Sequence, residues 1–221
     1  MECINIMRDI RSRVKIPTND FVFSEVEYKL SDEKLVVFRN DKVIYSPMHL
    51  FNSVDGAISN CYLREGTVEK LNKAAESLPN GYYLKIYDAW RPLLLQEELY
   101  KKSMERFEDL EMLISMPLRD ERKGPVHTTG GSVDITIVNE KGIELNMGTK
   151  FGDYSEKSHT DYFEIRYPAD IEIVKTRRLL YNIMTDAGFT NMPTKWWHYD
   201  YGNKFWAYYT KEPAKYGCEF G

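Results

Sequence analysis

The stretch HTTGGSVDITIVNEKGIEL, residues 127–145, decides how the chain folds. Val133, Ile135 and Ile137 alternate with Asp134, Thr136 and Val138, the period-two pattern of a strand. NEKG then supplies a turn toward a returning strand. Asp134 therefore points away from the face formed by Val133, Ile135 and Ile137. Gly130 and Gly131 let the chain bend back sharply, so that His127, seven residues before Asp134, can meet it.

Helical patterns lie on both sides of this strand. In GTVEKLNKAAESLPNG (66–81), Val68, Leu71, Ala75 and Leu78 share one face, with Thr67 as the expected N-cap and Pro79, Asn80 and Gly81 as the stop. YYLKIYDAW (82–90) reads as a strand, and Pro92 suits the first turn of a helix through LLLQEELYKKSMERF (93–107). Asp88 and Arg91 then fall at a strand end, where side chains can converge on a cleft. DIEIVKTRRLLYNIMTDAGF (170–189) puts Thr176, Leu180, Ile183, Met184 and Ala187 on one stripe and stops at Gly188. WWHYDYG (196–202) and KFWAYYT (204–210), joined around Gly202 and Asn203, read as a final hairpin with His198 and Asp200 on one face. The interleaving gives an α+β fold, expected as one domain over residues 1–221.

The 221 residues carry 30 Lys and Arg against 34 Asp and Glu, a formal charge of −4, with both signs dispersed. That balance argues against a nucleic-acid binder. MECINIMRDIRSRVKIPTND (1–20) has no apolar core of signal-peptide length, and no later run is long enough to span a membrane, so a cytoplasmic protein, or one lacking its leader, is expected. Cys3, Cys61 and Cys218 form no CxxC pair and read as free thiols. The oligomeric state is not legible, and residues 1–59, including VFRNDKVIYSPMHLFNS (37–53), receive no role beyond strand and loop that could cover a cleft.

Of four histidines, His127 and His198 lie in segments that read as strand ends, whereas His49 and His159 have no comparable neighbours. His127, Asp134 and His198 could fill three corners of a tetrahedron around zinc, leaving the fourth for water. Hydrogen-bonded structural histidines are the competing reading. For Arg91 the competing reading is an ion pair with Asp88 or another nearby carboxylate.

YDAWRP (87–92), HTTGGSVDITI (127–137), MGTKFGDYSEKSH (147–159) and AGFTNMPTKWWHYDYG (187–202) resemble the successive signatures of the D-alanyl-D-alanine dipeptidases. These are VanX-type zinc peptidases of a wider family that includes D,D-carboxypeptidases and shares its fold with the Hedgehog signalling domain. The resemblance covers roughly residues 60–210 and implies a central, mostly antiparallel sheet flanked by helices. It further implies one zinc ion per chain held by His127, Asp134 and His198, with Arg91 stabilising the oxyanion. The implied partner is a small D-Ala-D-Ala-like peptide substrate.

Two positions depart from the family pattern. The glutamate that handles the proton in x-W-W-H is here Lys195, whose ammonium has donors and no lone pair. The aspartate that ends MGTPFD is here Gly152, with Asp153 one residue along. The sequence leaves three accounts of Lys195 open: an engineered trap, natural divergence to a zinc-binding paralogue, or recruitment of another carboxylate, Asp200 or Glu156. Natural divergence is preferred. Activity is therefore expected to be reduced or lost, with an inactive ligand-binding paralogue or a D,D- or L,D-carboxypeptidase as alternatives.

Overall fold

The computed structural model describes residues 26–106 and 114–221. Cys3, residues 1–20 and Phe107 at the end of the helix expected over 93–107 lie outside the described residues. In chain order the elements are β1 (Leu35–Val37), β2 (Val43–Tyr45), α1 (Met48–Phe51), β3 (Tyr62–Arg64), α2 (Glu65–Glu76), β4 (Tyr82–Asp88) and α3 (Leu93–Arg106). They continue as β5 (Ser132–Asn139), α4 (Tyr162–Arg166), α5 (Ile171–Ala187), β6 (Thr190–Asn191), β7 (His198–Asp200) and α6 (Lys204–Thr210).

β1 and β3 form a small antiparallel pair, and the main sheet runs β2-β4-β5-β7-β6. Its β2-β4 pairing is parallel and the other three are antiparallel. The fold is α+β with a mixed, mostly antiparallel sheet, as expected. Leu84, Ile86, Val133, Ile135, Ile137 and Tyr199 of the sheet share one core cluster with Leu71, Ala74 and Ala75 of α2 and Leu180, Ile183 and Met184 of α5. Each fully buried aliphatic or aromatic side chain contributes roughly 1.5–3 kcal/mol.

Three local expectations are corrected. Helix α2 begins three residues early, with Arg64 rather than Thr67 at its N-cap; Thr67 is buried in its first turn. The return after NEKG is a single bridge, Val138 with Glu144, rather than a second strand. KFWAYYT is helix α6 rather than half of a hairpin, because the Asn203 side chain accepts hydrogen bonds from the amides of Phe205 and Trp206 and starts a helix. β7 instead pairs with β5 on one side and β6 on the other.

The sheet register builds the site. Asp88 of β4 lies opposite Asp134 of β5, which lies opposite His198 of β7, so the three form one row across neighbouring strands. An irregularity between Ile86 and Asp88 re-aims Asp88 into that row.

Candidate functional site

At the end of this row lies a cleft of about 90 Å³, lined among others by Arg91, His127, Asp134, Tyr154, Lys195 and His198. His127 sits in a 3-10 turn, Val126–Thr129, closed by Gly130 at φ 74°. A Cβ at Gly130 would meet Leu35 Cδ2 at 2.3 Å, and one at Gly131 would meet the Tyr201 carbonyl oxygen at 2.3 Å. Only glycines allow the loop to turn here while packing against β1 and the end of β7.

Three donor atoms converge in the cleft. His198 Nδ1 is 2.8 Å from Asp134 Oδ1, His127 Nε2 is 3.3 Å from His198 Nδ1, and His127 Nε2 is 3.5 Å from Asp134 Oδ1. All three residues are buried. Their outer atoms are fixed as well. His127 Nδ1 donates to the Ala89 carbonyl at 2.7 Å, and His198 Nε2 donates to Asp200 Oδ2 at 3.1 Å. Each ring therefore turns its other nitrogen to the common point, an arrangement that could hold a metal ion.

The electrostatics follow from burial and neighbours. Burial opposes ionisation of Asp134, yet His127 and His198 hold its carboxyl well below the usual range. His127 is pulled down, first by burial and then by the charge of Arg91. His198 is raised to about 9 against the effect of burial, by the charge of Asp200 and by hydrogen bonds to Asp134 and Asp200.

Arg91 is buried and tied on two sides: Nε donates to Asp88 Oδ2 at 2.5 Å and Nη1 to Gln96 Oε1 at 3.0 Å. Nη2 lies 3.6 Å from Asp134 Oδ2. The ion pair with Asp88 and a position in the cleft are thus compatible rather than competing. Asp88 accepts a further bond, from His49 Nε2 at 3.0 Å. His49 had no distinguishing neighbours in the sequence; the partner that gives it a place is 39 residues away.

Lys195 lines the cleft, half-buried, with Nζ 5.5 Å from the centroid of the Tyr154 ring. Burial, reinforced by Arg91, lowers its ammonium to about 8. The two carboxylates considered as substitutes for a glutamate here are placed elsewhere. Asp200 is buried beyond His198, its Oδ1 accepting from Ser132 Oγ and Asn203 Nδ2, both at 2.7 Å. Glu156 is exposed at the start of a 3-10 turn and does not line the cleft. Nor does Asp153, whose Oδ1 accepts from the Ser155 amide at 2.9 Å. Gly152 has φ 78° and open space around a notional Cβ.

The segment that carries Gly152 and Tyr154 is held by buried Arg177 of α5. Its Nε, Nη1 and Nη2 donate to the carbonyls of Met147, His159 and Lys157 at 2.8, 2.6 and 2.7 Å. Phe151 of the same segment stacks on Tyr87 at 4.4 Å between centroids and meets the edge of Trp197 at 5.6 Å.

Comparisons with known proteins match this framework. A family model described as D-ala-D-ala dipeptidase, peptidase M15, matches residues 56–215. The chain is 26% identical over 176 residues to a D-alanyl-D-alanine dipeptidase of Synechocystis sp., covering 66% of this chain and 71% of that protein. It is 29% identical over 144 residues to a D-alanyl-D-alanine dipeptidase of Escherichia coli, covering 64% of this chain and 67% of that protein. Among the described residues no helix is long and apolar enough to cross a membrane. The matched span takes in the whole row from Asp88 to His198, and the chain belongs to the D-ala-D-ala dipeptidase family of peptidases.

Proposed function

We propose that the chain binds one zinc ion through His127 Nε2, Asp134 Oδ1 and His198 Nδ1 and acts on D-alanyl-D-alanine or a similar short D,D-peptide, with turnover limited by Lys195. The observation that carries this is the donor triangle, whose edges of 2.8, 3.3 and 3.5 Å suit the roughly 3.3 Å edge of a tetrahedral zinc site with ligands at about 2.0–2.1 Å. The two-nitrogen, one-oxygen donor set also suits zinc and leaves a fourth position open.

When bound, zinc supplies Lewis acidity that acidifies water and polarises a carbonyl oxygen. The protein's own residues do the rest. Arg91 Nη2, beside Asp134, faces the position where negative charge develops on the scissile carbonyl oxygen. Ala89 and Asp200 keep the two imidazoles in the tautomers that present lone pairs inward. Hydrolysis of the amide adds water across the C–N bond, so a proton must pass from the attacking water to the leaving amine. Lys195 stands where that transfer needs an acceptor, and as an ammonium it can only donate.

Lys195 also favours a second reading, a pocket that binds the peptide and releases it uncut. The experiment that separates them loads the purified protein with zinc, confirms one ion per chain by metal analysis, and follows free D-alanine from D-Ala-D-Ala for the native chain and Lys195→Glu. Activity gained only in the variant supports a lost base. Full activity in the native chain rules out that account of Lys195, and failure to take up zinc removes the metal assignment.

A further inference from the structure

Asp88 Oδ2 receives two donors, Arg91 Nε at 2.5 Å and His49 Nε2 at 3.0 Å, while its Oδ1 accepts the Ala89 amide at 3.0 Å. Burial opposes its charge, but Arg91 and then His49 hold the carboxyl well below its usual range. An ionised carboxylate only accepts, so the His49 Nε2 carries the hydrogen. These donors leave Asp88 one orientation, and that orientation sets where the Arg91 guanidinium points. The same Asp88–Ala89 step also fixes His127 through the Ala89 carbonyl. His49 comes from α1, outside the matched family span that begins at residue 56, and α1 lies against β4. Its side chain is only 16% exposed and that of Asp88 4%, so the pair sits largely out of solvent.

We propose that His49 is a positioning residue for Arg91: by sharing Asp88 Oδ2 it locks the carboxylate that aims the guanidinium at the oxyanion position. Without that donor, Asp88 has one bond fewer to resist rotation about its side chain, and the Nη2 edge of Arg91, beside Asp134, loses its fixed direction. A hydrogen-bonding partner of matching reach should restore it. Glutamine places an amide N–H near the position of the histidine Nε2, whereas leucine fills similar space with no donor.

This inference rests on the oxyanion role assigned to Arg91, and the test separates the two. The probe is a phosphinate analogue of D-Ala-D-Ala, whose tetrahedral anion mimics the charge borne by the carbonyl oxygen, titrated calorimetrically into the zinc-loaded protein. Zinc content is measured in parallel. Arg91→Met is expected to weaken binding by about 100-fold. His49→Leu is expected to weaken it by about ten-fold with zinc retained at one per chain, and His49→Gln to stay within about three-fold of the parent. If Arg91→Met binds as the parent does, or the parent does not bind, the reading of Arg91 fails and the inference with it. If Arg91→Met weakens binding while His49→Leu does not, or if glutamine fails to restore what leucine loses, the positioning role alone is overturned.

Discussion

In the proposed function, the chemistry turns on one atom of Lys195. Its Nζ sits in a cleft with Arg91 and the donor triangle, where burial lowers the ammonium to about 8. Replacing it by glutamate supplies an acceptor, and Lys195→Glu should raise the rate of D-alanine release by about 100-fold or more, the usual scale of a positioned general base. Turnover by the neutral amine would show a different signature: a rate that climbs as pH rises through about 8, where the proton leaves, and that disappears in Lys195→Met. His198 supports a second prediction. Without metal it keeps its proton up to about pH 9, held by Asp200 and Asp134. Binding zinc at pH 7.5 must expel that proton, so calorimetry in two buffers of different ionisation enthalpy should give about one proton released per ion. The sign is fixed: affinity should fall as pH drops below about 9, and a proton count near zero would place the metal elsewhere.

Among the elements, α6 shows how the reading of a sequence can fail beside one that succeeds. α2 and α5 were legible from their 3.6-residue apolar spacing, because burial of one face writes itself into the order of residues, and β5 from the alternation of Val133, Ile135 and Ile137 with Asp134 and Thr136, although the structure buries both faces of that strand. KFWAYYT has the aromatic content of a strand, and only the Asn203 cap, a tertiary and local hydrogen-bonding effect, makes it helical. The facing pair His198 and Asp200 was legible from their spacing, and the meeting of His127 with Asp134 from the intervening glycines. The lateral row of Asp88, Asp134 and His198 was not, since it depends on the register of three strands and on an irregularity that no local pattern encodes. The contact of His49 with Asp88 was hidden for the same reason. Asn203 also donates to Asp200 Oδ1, linking α6 to the site. Asn203→Ala should therefore cost about 2 kcal/mol, a cap of about 1 kcal/mol plus a lost bond to a buried carboxylate. Thermal melting should fall by about 4–8 °C; an unchanged midpoint would mean the cap is dispensable.

For the molecule as a whole, one core cluster draws on α2, α5 and four of the five main-sheet strands, which supports the proposal of a single domain across the chain. Unfolding should then be one transition, with circular dichroism and tryptophan fluorescence superimposing; separate midpoints would divide the chain. Zinc at about 1,000 times its dissociation constant should add about 4 kcal/mol and raise the melting midpoint by about 10 °C, and a chelator should reverse this. Arg177 acts at the same scale. It grips the 147–159 segment by three peptide oxygens, groups every amino acid carries, and makes no demand on the identity of the residues it anchors. Anchorage and wording are thus uncoupled at position 150, whereas Gly152, at φ 78°, resists rewriting through its own backbone: the frame would tolerate new lettering beside the glycine far more readily than at it.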